Sequence, residues 1–141
     1  MMNHVIRRVA RLGIADRFHF TGFLRGEDVH KMFQLSDVYV MPSVSEPFGI
    51  SPLEAMRSNV PVIISKQSGV AEVLDYAVKV DYWDVDALAD AIFALIEYPA
   101  LGKMFASKGL EEVTNLKWND AAAKIKTVYE TAIEENQKKT K

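Results

Sequence analysis

The chain has 141 residues, 49% hydrophobic and 26% charged, which is the size and mix of one globular domain around a single core. Its formal net charge of −2 excludes the global positive field that would gather nucleic acid or an anionic membrane. Without cysteine there is no disulfide, thiolate nucleophile or cysteine metal site, which fits a reducing cytoplasm, and His4, His19 and His30 lack ligand spacing, so no metal is expected.

In chain order, Val5, Ile6, Val9 and Leu12 recur at helical spacing over residues 3–12, and Gly13 is a natural stop. The first part of the chain is locally basic, Arg7, Arg8, Arg11, Arg17, Arg25 and Lys31 outnumbering Asp16, Glu27 and Asp28, a pattern read as a solvated face with a phosphate or acidic-lipid contact as the alternative. Residues 17–21 alternate polar with aromatic (Phe18, Phe20) before Gly22, which predicts a short strand. Residues 27–35 return to a helical period behind acidic Glu27 and Asp28. The run Asp37-Val38-Tyr39-Val40-Met41, ended by Pro42, suits a strand buried on both faces.

A loop over 42–49 then leads into a helix over 51–58, where Pro52 is tolerated in the first turn. A buried strand over 60–65, a short helix over 69–74, a strand over 77–80 and an amphipathic helix over 84–97 follow. Further helices are expected over 99–115 and 118–136, with Phe93, Met104, Phe105, Trp118 and Tyr129 packed in the core. Tyr82 and Trp83 are expected either to stack on a sugar or to cap the following helix. Strands alternating with helices on short connections define an α/β class with a parallel sheet of about four strands. One domain is assigned to residues 1–137, a frayed tail to 138–141, and the opening helix looks like one whose preceding βα unit is absent. No apolar run reaches the length of a bilayer span, so the chain reads as soluble.

Ligands of open parallel sheets settle beyond the carboxyl ends of the strands. The loop after Met41 belongs there and holds Glu46, while Glu54 lies about one turn inside the next helix, so both carboxylates can flank one crevice. Between them Phe48-Gly49-Ile50-Ser51 presents successive N–H groups at a positive helix end, which favours a diphosphate. A side chain at Gly49 would keep backbone and ligand apart, and Pro47 and Pro52 stiffen the loop. Carboxylates accept strong hydrogen bonds from neighbouring hydroxyls, so the arrangement describes polyol and phosphate together. As a bare pair, Glu46 and Glu54 are more readily read as solvated charges.

The segment Glu46-Pro47-Phe48-Gly49, followed by Leu53-Glu54-Ala55-Met56 and Val60-Pro61-Val62-Ile63, resembles retaining glycosyltransferase family 4. The likeness extends to Phe18-His19-Phe20-Thr21-Gly22-Phe23-Leu24, to Asp37 through Ser43, and to Gly69-Val70-Ala71-Glu72-Val73. The resemblance implies a Rossmann-like α/β/α sandwich, the C-terminal, donor-binding half of a GT-B fold, transferring sugar from a UDP-, GDP- or ADP-sugar with retention. It implies that Glu46 is the catalytic-site residue on the donor sugar and that the amides of Phe48, Gly49 and Ile50 approach that sugar. Ser51 would face the phosphates, Glu54 the ribose, and the backbone of Gly22, Phe23 and Leu24 the base. No cofactor or metal is implied, since positioning and charge stabilisation dominate such transfer.

Two departures stand out: Asn59 replaces the usual glycine before Val-Pro, and Gln67-Ser68-Gly69 replaces paired glycines. The family's Arg and Lys diphosphate clamp and its acceptor-binding N-terminal domain would lie outside this chain, leaving it inactive alone, with peripheral membrane contact only in the complete protein. The competing readings are a stand-alone nucleotide-sugar-binding module or subunit, and a GT-B-like epimerase or phosphorylase.

Overall fold

The structure is a computed structural model that describes the backbone of residues 2–139 and the side chains of 2–136. Two helices open the chain, α1 (Met2–Arg11) and α2 (Glu27–Gln34), separated by a 3-10 turn at Ala15–Arg17. Then come β1 (Tyr39–Met41), α3 (Ser51–Arg57), β2 (Val62–Ser65), a second 3-10 turn (Gly69–Glu72), β3 (Val78–Val80) and three helices, α4 (Val85–Glu97), α5 (Pro99–Asn115) and α6 (Trp118–Lys139).

The sheet is parallel in the order β1-β2-β3, with Tyr39 opposite Val62 and Ile63 opposite Val78. All four residues of β2 are buried, as a central strand covered on both faces requires. Because successive side chains of a strand point to opposite faces, β2 feeds two cores. Val62 and Ile64 join Met41, Met56, Leu74 and Val113 beneath α3 and α5, while Ile63 joins Val80 and Leu95 beneath α4. The result is the three-layer α/β/α arrangement expected from the sequence.

The helices on this sheet are shaped by what they bury. On α4, Leu88, Ala91, Ile92 and Leu95 form the stripe that meets the sheet. On α5 the buried face is made of small residues, Gly102, Ala106, Gly109 and Val113. A Cβ on Gly109 would lie 2.8 Å from the Met56 terminal methyl, and one on Gly102 would lie 2.6 Å from the Leu95 carbonyl oxygen. Small residues therefore let α5 lie tight against both α3 and α4. The C-terminus of α3 is a Schellman turn: Val60 N–H donates to Ala55 and Asn59 N–H to Met56, with Asn59 in the left-handed region at φ 60°. The asparagine thus supplies the helix-ending conformation that its position suggests.

Three expectations are corrected. The sheet has three strands rather than about four, because residues 17–21 form no strand. Phe18 is extended there and packs on Phe20 at 5.0 Å, but no strand among the described residues pairs with this segment, and an extended chain becomes a strand only through a hydrogen-bonded neighbour. The predicted helix over 69–74 is a single 3-10 turn.

Most of the late aromatic and Met residues are not core. Phe93 and Met104 sit one step round from the buried stripes of α4 and α5, and only Phe105 packs against the sheet. Trp118 (86% exposed) and Tyr129 lie on α6, which buries no side chain among those described. The helix α6 runs from Trp118 through Lys139.

Candidate functional site

The loop from β1 into α3 is anchored from beneath. Glu46 forms an isolated parallel bridge with Ser68; Gly69 N–H donates to the Glu46 carbonyl at 2.9 Å and Val70 N–H to the Phe48 carbonyl at 2.9 Å. This approach requires Gly69 to lack a side chain, since a Cβ would overlap the Pro47 carbonyl oxygen. Ser68 is buried and returns its hydroxyl to the Ser65 carbonyl, while the Ser65 hydroxyl donates to the Ser43 carbonyl at 2.6 Å. The acidic loop is therefore one rigid body with the loop after β2.

Gly49 has φ +87°, a conformation that side chains resist, and a Cβ there would lie 3.0 Å from the Met41 methyl and 3.1 Å from Glu46 Cγ. Packing over Met41 and Glu46 is thus a reason for glycine beyond the ligand approach foreseen from sequence. Among the described residues no acceptor takes the N–H groups of Phe48, Gly49, Ile50 or Ser51. Phe48 and Ile50 are exposed. The Ser51 hydroxyl is not free: it accepts from the Tyr39 hydroxyl at 2.9 Å and points towards Met41 Sδ, tying α3 to β1.

Glu54 lines a cleft of about 370 Å³ between α2 and α3, together with Gly26, His30, Phe33 and Arg57. His30 and Arg57 were not singled out for this role by sequence; the signal available was Arg57 standing three residues after Glu54, on the same helix face. A hydrogen-bond chain closes one wall. With the Gln34 amide nitrogen donating to His30 Nε2 (3.0 Å), the imidazole proton sits on Nδ1 and donates to Ser58 Oγ (3.1 Å), whose own proton goes to the Glu54 carbonyl (3.0 Å).

Glu46 is half-buried and does not line this cleft, which follows α2 and the later part of α3, so the cleft does not join the two carboxylates. Gly22, Phe23 and Leu24 lie in the loop that leads to Gly26 but are not in the lining either. Gly22 has φ +68°, Phe23 is exposed with Arg25 5.1 Å above its ring, and Leu24 is half-buried. Among the described residues no group of three His, Cys, Asp or Glu is placed to hold a metal ion, and no helix is long and apolar enough to cross a membrane.

Known proteins share this frame. The chain is 30% identical over 131 residues to a D-inositol 3-phosphate glycosyltransferase of Corynebacterium diphtheriae, matching 91% of this chain and 31% of that protein. A sucrose-phosphate synthase of Thermosynechococcus elongatus superposes with a TM-score of 0.79 at 29% identity, over 94% of this chain and 34% of that one. A protein of Anabaena solved in complex with UDP-glucose superposes with a TM-score of 0.75 at 25% identity, over 80% and 32%. The chain spans about a third of the length of the curated relatives it matches. The family model of glycosyl transferases group 1 covers residues 3–112, from α1 through the cleft and the acidic loop into α5, and the chain belongs to that family.

Proposed function

We propose that the chain is the donor-binding part of a retaining glycosyltransferase that moves a sugar from a nucleotide-sugar to an acceptor. The reading is carried by one observation: four successive N–H groups at the start of α3 have no acceptor among the described residues, and Glu54, one turn further along that helix, lines a cleft against α2. Glu54 takes the ribose hydroxyls, and the amides of Phe48, Gly49 and Ile50 take the sugar end, with the Ser51 N–H nearest the phosphates. Glu46, held by its bridge to Ser68, takes donor hydroxyls. The backbone from Gly22 to Leu24 borders the base. The Anabaena protein's complex with UDP-glucose supports UDP-glucose as the first donor to try.

The complete protein works in carbohydrate synthesis in the cytoplasm, without a resident metal, and draws its acceptor-binding domain and diphosphate clamp from outside this chain. The test is calorimetry with UDP-, GDP- and ADP-glucose on this chain. Weak binding of one donor is expected, since each charge-assisted contact lacking from the clamp forfeits roughly 1.5–3 kcal/mol. Glu54→Ala should abolish the heat. Heat equal to buffer for all three, in a folded sample, would count against the donor site, and unchanged binding by the variant would remove Glu54 from it.

A further inference from the structure

The turn after β3 carries two aromatic side chains that the donor site leaves unused. Tyr82 and Trp83 meet at 4.8 Å with their planes 83° apart, forming a corner, and Trp83 is 61% exposed. Neither caps α4: Asp84 does so, accepting from Ala87 N–H at 3.0 Å. Neither the Tyr82 hydroxyl nor the Trp83 indole N–H has a partner among the described residues. The backbone beneath them is fixed, with Asp84 N–H donating to the Asp81 carbonyl and Val85 N–H to the Trp83 carbonyl. Trp83 leaves most of its ring in water on this rigid turn, Tyr82 is 36% exposed beside it, and Trp and Tyr are the residues that most often anchor binding surfaces.

The rim of the corner is polar and internally neutralised. Asp81 accepts from Lys66 Nζ at 2.8 Å and from the Gln67 amide at 2.9 Å, and Gln67 Oε1 accepts from Tyr82 N–H at 3.4 Å. Gln67 adjoins Ser68, the bridge partner of Glu46, so the aromatic corner and the acidic loop belong to the same ridge of loops at the carboxyl edge of the sheet.

We propose that Tyr82 and Trp83 form a stacking platform for a neutral pyranose, a sugar-binding surface that stands independently of the donor-site reading above. A pyranose has one face of polarised C–H groups that suits the negative face of an indole, and an equatorial rim of hydroxyls that needs donors and acceptors of both kinds, as Lys66, Asp81 and Gln67 provide. A protein partner calls for a wider apolar patch than two rings, and a phosphosugar would meet the exposed Asp84 and Asp86 carboxylates on the flank.

The chain has only two tryptophans, Trp83 and Trp118, so their indole N–H signals in a two-dimensional NMR spectrum give a probe and an internal control. Methyl α- and β-pyranosides of glucose, mannose and galactose are titrated, with glycerol as a polyol that cannot stack and UDP-glucose as a separate arm. At least one pyranoside should move the Trp83 signal saturably, on the millimolar scale, while Trp118 and the glycerol titration stay still. Trp83→Ala should weaken that binding at least about tenfold, read from saturation transfer to the sugar, and Trp83→Phe should retain part of it.

A Trp83 signal unmoved by every pyranoside up to about 50 mM, or moved equally by glycerol, would overturn the platform. Pyranoside binding at Trp83 with no calorimetric heat from UDP-, GDP- or ADP-glucose would uphold the platform and sink the donor reading. The reverse result would sink the platform alone.

Discussion

Two kinds of region are joined in this chain. Between Tyr39 and Val113 every element bears on the three-stranded sheet, and among the described residues all the buried apolar side chains apart from Val9 fall there. The flanks, residues 2–35 and α6, carry apolar stripes of similar regularity but leave them largely open to solvent. Val5, Ile6 and Leu12 on or beside α1, and Ile125, Val128, Tyr129 and Ile133 on α6, are all exposed. A helical hydrophobic period states which face of a helix can be buried; it does not state that a partner surface is at hand.

The comparison predicts its sharpest effect at Met56, which is fully buried between α3 and α5. Met56→Ala should destabilise the chain by about 2–5 kcal/mol in urea unfolding, since the packing around Gly109 leaves little room to collapse. A loss below about 1 kcal/mol would mean that the centre is no tighter than the flanks.

Next comes Gly69→Ala, which drives a methyl into the Pro47 carbonyl and should cost about 1–3 kcal/mol while detaching the acidic loop from the loop after β2. Amide exchange at Gly69 and Val70, whose N–H groups hold Glu46 and Phe48, should accelerate beyond what the global loss explains. Uniform acceleration would show that the two loops are not one body.

Asn59→Ala should cost about 1 kcal/mol because alanine resists the left-handed conformation at φ 60°, and Asn59→Gly should recover it. If alanine and glycine prove equal, the Schellman turn is not limiting. On the other side of the comparison, Trp118→Ala should change stability by less than about 0.5 kcal/mol despite removing the largest side chain available. A larger loss would show that α6 finds a partner surface in solution.

These contrasts also explain what was legible beforehand. The strands at 39–41, 62–65 and 78–80 and nearly all the helices announce themselves because their signals are local: continuous β-prone runs, capping residues and 3.6-residue periods. The acidic loop was legible through Gly49 and the two prolines, which make sense only in a bent chain. The 17–21 segment was misjudged because its alternation is real but strand formation depends on a neighbour, which no local pattern encodes. Phe93 and Met104 failed by one step of helical rotation, about 100°, a distinction that needs the direction of the sheet. Gly69's contact with Pro47, and the wall formed by His30 and Ser58, join residues 22 to 28 positions apart, and nothing in one sequence pairs them.

The smallest expected effect tests the polar tie between the loop after β2 and the turn after β3. Hydrogen bonds from Lys66 and Gln67 hold the Asp81 carboxyl below its ordinary value of 3.8. A carboxylate depressed in the folded state adds stability above its unfolded pKa, and that contribution fades as the pH falls below about 3.8 towards the folded value. The carboxyl carbon of Asp81, followed by NMR, should therefore titrate below 3.8, and Lys66→Met should move its midpoint upward, because the stronger of the two hydrogen bonds and the ammonium charge are both removed. Gln67→Ala should move it less. If Lys66→Met leaves the midpoint in place, the 2.8 Å contact is not maintained in water, and the aromatic corner beside it would lose the neutralised rim that suits it to an uncharged sugar.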